Sequence, residues 1–354
     1  MSTLPTVVSD LEQLPVQAAV PKLSEAELDQ LVDLSYRSLA ENTRLAYRNG
    51  VKKFTAWCAA HAPPLAPLPA HPLTVAAFLS AMLSHPLNHK VKTAHVWHAA
   101  INKLHEEARL PIPTADPTFK KIWEGLLRLH RSRPRKARPL KVPELREIAA
   151  VQQNPPRRTA LARERAGTRD RAILLLGFSG AFRRGEIASL RISDLAFDDA
   201  RGEHGGLTIL LGSSKTDQKG EGAIVEIPRG ANEVTCPVRA TLRWLDVLAE
   251  AHDVQPNHPL FHRVDQWGNF FTPKPLAGRS VTRIVQRAAR DADVDLEGLS
   301  GHSLRSGLAT AAAEQGLDIT VIMDQTRHRS VVVAMSYIQL RRRGELNAAA
   351  RIGL

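Results

Sequence analysis

The stretch GHSLRSGLATAAAEQG, residues 301–316, sets His302 and Arg305 three residues apart at the start of a run of small helix-forming residues. Side chains at that spacing are neighbours on one helix face, so both are expected to point toward one ligand. Downstream, QTRHRSVVVAMSY (325–337) carries a second imidazole, His328, nine residues before Tyr337. Upstream, GAFRRGEIASL (180–190) carries Arg183 with Glu186 three residues on. SSKTDQKGEG (213–222) places Lys215 in a polar turn between two short strands, ILLG and AIVEIP, with Gly220 and Gly222 at the bend. In chain order this is Arg183, Lys215, His302 with Arg305, His328 and Tyr337: one nucleophile among cationic and proton-transferring groups. Attack on a phosphodiester requires such a set, because fixed guanidinium and imidazole donors stabilise charge developing on the non-bridging oxygens. A phenol, with a pKa of about 10, needs a cationic pocket and a proton acceptor before it attacks.

Each piece alone also fits a plainer role. Arg183 and Glu186 read equally as a surface ion pair, Lys215 as part of an ordinary turn, His328 as a solvated surface residue and Tyr337 as a core tyrosine bonded through its hydroxyl. The joint order is what argues for chemistry.

In that order the chain resembles the tyrosine recombinase (phage integrase) family, from about Thr168 to Tyr337. GFSGAFRRGEIASLRISDL (177–195) looks like the family's first-arginine box, with Arg183 rather than Arg184 in the catalytic place. SSKTDQKGEG looks like the hairpin of the catalytic lysine, GHSLRSGLATAAAEQG like the His-x-x-Arg box, and RHRSVVVAMSYIQ like the closing His-to-Tyr box. One departure is Arg327, which stands where the family commonly has Gly and is expected to alter the local backbone without removing the imidazole.

The resemblance implies a site-specific recombinase in which Arg183 and Arg305 clamp the scissile phosphate. His302 would accept the tyrosine proton or hydrogen-bond the phosphate, and His328 would donate to a non-bridging oxygen. Lys215 would protonate the leaving 5′ oxygen, and Glu186 would orient the arginines. Tyr337 would form a 3′-phosphotyrosyl bond that keeps the phosphodiester energy, so neither ATP nor any other cofactor is needed, and no metal. A type IB topoisomerase or hairpin telomere resolvase would share this chemistry. A DNA-binding regulator of the same fold would share none of it and has no need of Tyr337 and Lys215 together.

Composition suits a polyanionic partner, double-stranded DNA: 48 Lys and Arg against 36 Asp and Glu give a formal charge of +12. Cys58 and Cys236 lie far apart and are expected to be reduced, which points to the cytoplasm, where a DNA partner implies association with the nucleoid. The amino terminus lacks a basic segment and a long apolar core, so a signal peptide is not expected, nor is a membrane span.

The expected fold is mainly α: a helical core-binding bundle, then a mainly α catalytic domain with a small antiparallel sheet. Residues 1–34 read as a flexible arm, with a short helix starting at Ser24. Residues 35–130 read as the core-binding domain, in which Tyr47, Val51, Phe54 and Cys58 form one helical stripe. Further helices are expected near 74–84, 90–108 and 117–130, and the pattern looks like the core-binding domain of Cre and Xer recombinases. HRSRPRKARPLKV (130–142), with six basic residues, two prolines and no acid, marks the linker at 131–141. Arg44, Lys90, Lys92, Arg131, Arg133, Arg135, Lys136 and Arg138 are the expected phosphate contacts, in two domains closing on a duplex as a clamp. The catalytic domain, 142–354, ends in a tail where Leu346, Ala349, Ala350 and Ile352 resemble the helix by which the family docks neighbouring subunits. That implies a dimer on one site and a tetramer at synapsis.

Overall fold

The computed structural model describes residues 41–131, 137–151, 157–198, 205–212, 222–251 and 255–337. The chain divides into two compact units, Met1–Arg133 and Pro134–Leu354. The expected arm, Lys215, Arg133, Arg135, Lys136 and the residues after Tyr337 lie outside the described residues.

The first unit holds α1 (Glu41–Ala59), α2 (Pro72–Leu83), α3 (Val91–Glu107) and α4 (Pro117–Leu129), with a single 3₁₀ turn at Pro113–Ala115. The α1 stripe behaves as its spacing requires: Phe54 and Cys58 are buried, Tyr47 and Val51 half-buried. Gly50 lets α1 approach α3, since a Cβ there would meet Trp97 Cδ1 at 2.8 Å. Phe54 packs edge-on against Phe78 with ring centroids 5.1 Å apart, an arrangement that the aromatic quadrupole favours. Pro at the first turn of α2 and α4, and the Asp116 carboxylate accepting from the N–H groups of Thr118 and Phe119, fix where these helices start.

The second unit contains α5 (Val142–Ala150), α6 (Ala160–Ser179), α7 (Arg184–Ser189), a 3₁₀ turn at Ile192–Asp194, β1 (Leu195–Phe197), β2 (Leu207–Leu211), β3 (Ala223–Ile227), α8 (Pro237–Ala251), β4 (His262–Val264), β5 (Phe270–Pro275), α9 (Gly278–Asp291), α10 (His302–Glu314), α11 (Ile319–Thr326) and α12 (Val331–Tyr337). Strands β1, β2 and β3 pair antiparallel in that order, with Ile209 opposite both Leu195 and Val225. Alternation sends Leu207, Ile209 and Leu211 inward and leaves Leu210 exposed.

Two features depart from the periodicity reading. Helix α6, which the sequence pattern starts at about Thr168, begins at Ala160, because the Thr159 hydroxyl caps it by accepting from the Ala162 N–H at 3.1 Å. Its charged first half hides no simple stripe: Arg169 and Asp170 are buried together, and Arg287 of α9 donates to the same carboxylate. The β4–β5 ribbon is also additional to the one expected sheet. Its turn is built by Asp265 Oδ1, which accepts from the N–H groups of Trp267, Gly268 and Asn269.

Helix α10 is pressed onto the chain entering α5. The Leu140 N–H donates to Ser303 O at 3.0 Å, and a Cβ on Gly307 would collide with Leu140 O and meet Phe178 Cε2 at 2.7 Å. Gly307→Ala is therefore expected to cost about 1–3 kcal/mol by overpacking, read as a lowered melting temperature. An unchanged melting temperature would show that this contact yields easily. Among the described residues no helix is long and apolar enough to cross a membrane.

Candidate active site

Arg183 caps α7 in an extended conformation (φ −70°, ψ 148°), and Glu186 sits in the first turn of that helix. Glu186 Oε2 accepts from the Arg183 backbone N–H at 2.9 Å, the carboxylate arm of a capping box, while Oε1 accepts from the Arg183 guanidinium at 2.5 Å. The i,i+3 ion pair of the plainer reading thus exists, but it is sunk into the fold, with only 8% of the Glu186 side chain exposed. Burial opposes ionisation of Glu186. The hydrogen bonds from Arg183, with the charges of Arg327 and Arg183, outweigh it and hold the carboxyl below its ordinary range.

Arg305 is completely buried in α10. Its guanidinium donates to Ala181 O at 2.7 Å and to Thr326 O, and its Nε has no partner among the described residues. Of five N–H donors, two are spent on carbonyls and the rest remain for an anion. Burial, then Arg183 and Arg327, push its pKa down to about 9, which leaves it a cation at neutral pH. The Ala181 carbonyl is presented by a left-handed residue (φ 46°), a conformation costing a non-glycine residue roughly 1–2 kcal/mol.

Tyr337 closes α12, half-buried, with its ring centroid 4.7 Å from that of His328 and 5.7 Å from Arg305 Cζ. Its backbone carbonyl accepts from Thr310 Oγ1 at 3.3 Å, which ties the end of α12 to α10. His328 Nδ1 lies 2.8 Å from Thr326 Oγ1, and that hydroxyl donates to Ile322 O at 2.5 Å. With its hydrogen so used, Thr326 accepts from His328 Nδ1–H, and Nε2 of the neutral ring carries the lone pair. Nε2 has no partner among the described residues.

Burial, then Arg305, Arg183 and Arg327, lower the His328 pKa to about 4. An unfolded chain would titrate this histidine near about 6.5. Between those values the unfolded state binds a proton that the folded state refuses, so stability is full above the upper value and falls as pH drops through the window. Urea unfolding across this range is expected to show that slope, and His328→Asn to flatten it.

Arg327, expected to alter the local backbone where glycine is common, instead adopts the left-handed conformation itself (φ 55°, ψ 47°) as the C-cap of α11. A cleft of about 460 Å³ is lined by Arg183, Glu186, Arg327, His328 and the facing ends of β2 and β3, Leu211, Gly212, Gly222 and Ala223. The segment between those strand ends, 213–221, contains Lys215.

His302 opens α10 and is exposed, while Arg305 one turn on is fully buried, so the two share a helix face at different depths. Of the expected phosphate contacts, Lys90, Lys92 and Arg131 are exposed and Arg44 is half-buried. Arg138 is engaged within the fold: its Nη1 donates to both carboxylate oxygens of Glu144 at 2.8 and 2.9 Å, its Nη2 to Asp295 O and its Nε to Glu297 O. Thr326 and Arg327 are the site residues that the motif reading passed over.

The phage integrase family model matches residues 156–343. An integrase/recombinase XerD homolog of Selenomonas ruminantium is 30% identical over 306 residues, covering 86% of this chain and 83% of the relative. The Cre recombinase of Escherichia phage P1 is 24% identical over 351 residues, 96% of this chain and 95% of Cre. Among solved structures, XerH in a post-cleavage complex with a palindromic difH substrate superposes with TM-score 0.56 at 16% identity, over 91% of this chain and 80% of XerH. A lambda integrase dimer bound to a COC′ core site gives TM-score 0.52 at 18% identity, over 90% of this chain and 96% of that one. At these identities the structures attest the fold.

Proposed function

Because the chain belongs to the phage integrase family, we propose that Tyr337 is the nucleophile with which it opens and reseals DNA at a specific site. The protein is a tyrosine recombinase, a DNA breaking and rejoining enzyme. The observation that carries the assignment of roles is the gathering of the Tyr337 ring, His328 and the buried cation of Arg305 within 4.7 and 5.7 Å, beside Arg183 and Glu186.

In this reading Arg305 and Arg183 hold the non-bridging oxygens of the scissile phosphate, a task suited to the planar guanidinium. As Tyr337 Oη attacks phosphorus, its proton passes to a nearby base. His328 Nε2, which carries the lone pair of a ring 4.7 Å from that of Tyr337, serves that role in place of the expected His302. The negative charge of the incoming phosphate offsets the arginines that keep the ring neutral and stabilises the imidazolium, which then donates to a non-bridging oxygen. Exposed His302 supplies a second donor to the phosphate. The P–O5′ bond breaks, Lys215 protonates the leaving 5′ oxygen, and a 3′-phosphotyrosyl bond remains. The 5′ hydroxyl of a partner strand reverses the step without ATP. The arginines and lysine supply the charge that a metal ion supplies elsewhere.

Strand exchange needs more than one subunit. A dimer on each site and a tetramer at synapsis fit the exposed apolar face of α12, where Val331, Val332 and Met335 are 52%, 80% and 55% exposed. The residues beyond Tyr337, including Leu346, Ala349, Ala350 and Ile352, are the segment we assign to that contact. The place of action is the cytoplasm, at the nucleoid.

The test is to express the chain in cells carrying genomic DNA of its source, denature rapidly, capture protein-linked DNA and sequence the attached ends. Adducts concentrated on one short sequence are the expected result. Adducts scattered over the genome would replace site-specific recombination with topoisomerase action, and an absence of adducts would deny Tyr337 the role of nucleophile.

A further inference from the structure

Arg327 touches both halves of the phosphate clamp. Its Nη2 donates to Glu186 Oε2 at 3.2 Å and to Ala181 O at 3.0 Å, and its Nη1 donates to Gly180 O at 2.9 Å and Gln325 O at 3.0 Å. The guanidinium carbon stands 5.2 Å over the Phe182 ring, and the side chain is 13% exposed. Glu186 is the group that holds Arg183, and Ala181 O is the group that holds Arg305. Arg327 is thus bonded to the fixing point of each arginine, and its backbone leads directly into His328.

A helix C-cap needs none of this. The left-handed position at the end of α11 suits glycine best, because a Cβ is strained there. In this chain the position carries a long cation whose donors run back to the α6–α7 turn, residues 180–186. The backbone penalty is retained together with a side chain that glycine would lack, and the partners of that side chain are the anchors of the two candidate phosphate-binding residues.

Resting on the roles proposed above, the geometry points to Arg327 as a positioning residue: it locks Glu186 and the Ala181 carbonyl so that Arg183 and Arg305 are preorganised for the scissile phosphate before DNA arrives. It does not itself touch the reacting atoms. Preorganisation by hydrogen-bonded supporting groups is what turns a correct set of side chains into an effective site. The third positive charge also helps to keep His328 neutral, after burial, Arg305 and Arg183.

The experiment compares wild type, Tyr337→Phe, Arg327→Gly and Arg327→Lys by the captured yield of protein–DNA adduct per molecule in cells carrying the source DNA. Circular dichroism, melting temperature and affinity for a random-sequence duplex are measured on each purified chain. Arg327→Gly is expected to keep fold and duplex affinity and to lose about 10- to 100-fold in adduct formation, the range typical of removing a group that orients a site's ligands. Arg327→Lys keeps the charge, but an ammonium lacks the planar reach needed to bridge the carboxylate and the carbonyls. It is expected to fold and to fall between wild type and Arg327→Gly.

Adduct formation at the wild-type level in Arg327→Gly would overturn the proposal. So would losses that track a collapse of melting temperature in both variants, since that pattern belongs to a merely structural cap. Should the wild type yield no adducts that Tyr337→Phe lacks, the assignment of Tyr337 fails and this inference falls with it. Wild-type adducts with undiminished variants defeat this inference alone.

Discussion

Tyr337→Phe is expected to abolish strand cleavage while leaving duplex binding and fold unchanged. The substitution removes one oxygen. The phenyl ring still packs against His328, still lies under the Arg305 cation, and the backbone carbonyl still accepts from Thr310. No apolar contact is lost, so stability stays within a few tenths of a kcal/mol, the usual range where no buried feature is disturbed. Chemistry has no substitute. The chain contains three tyrosines, and the other two, Tyr36 and Tyr47, lie in sequence far upstream of the motifs that carry the cationic groups. Removing a covalent nucleophile leaves only what binding and charge stabilisation provide, so a loss of at least about 10⁴-fold is anticipated. The measurement is adduct formation on the captured site, with affinity for the same duplex as the control. Residual cleavage near the wild-type rate would mean that a different group attacks phosphorus and that the surrounding cations serve it from another direction.

What is readable in the chain, and what is not, follows from the range of the interactions. Arg183 with Glu186, and His302 with Arg305, sit within one helical turn of each other, so spacing alone places them on shared faces. Helices α2, α3 and α4 begin and end close to where periodicity and proline put them, because their stripes face a core within the same unit. Arg138 reads as a phosphate contact in a basic linker, and in the structure its guanidinium has partners inside the fold. Two of its partners, Asp295 O and Glu297 O, lie 157 and 159 residues away, and no local pattern announces them. Arg327 reads from sequence only as an obstacle where glycine is common. Its worth lies in Gly180, Ala181 and Glu186, more than 140 residues upstream, which meet it only after α6, α7 and α11 have packed. The β4–β5 ribbon escapes because a short apolar run broken by an Asx turn has no periodicity to detect.

Depth separates the two arginines of the clamp, and Arg305→Lys should reveal it. Arg183 is partly open, with 25% of its side chain exposed, and holds Glu186 beside the cleft. Arg305 has no exposed surface and supports two carbonyls, Ala181 O and Thr326 O, while keeping donors in reserve. A lysine in its place has three N–H donors on a single atom. Satisfying the two carbonyls would use two of them and leave one, without the planar geometry that grips two phosphate oxygens at once. The burial that lowers the Arg305 pKa to about 9 acts on a weaker base in lysine, so the cation itself becomes harder to keep. Loss of one fixed donor from a charge-stabilising site costs about 10²–10³ in rate, and Arg305→Lys removes donors and geometry together. Single-turnover cleavage at saturating DNA is therefore expected to fall by at least that factor, with duplex affinity reduced far less because most phosphate contacts lie elsewhere. Cleavage within about tenfold of wild type would show that charge alone, without the guanidinium plane, holds the phosphate.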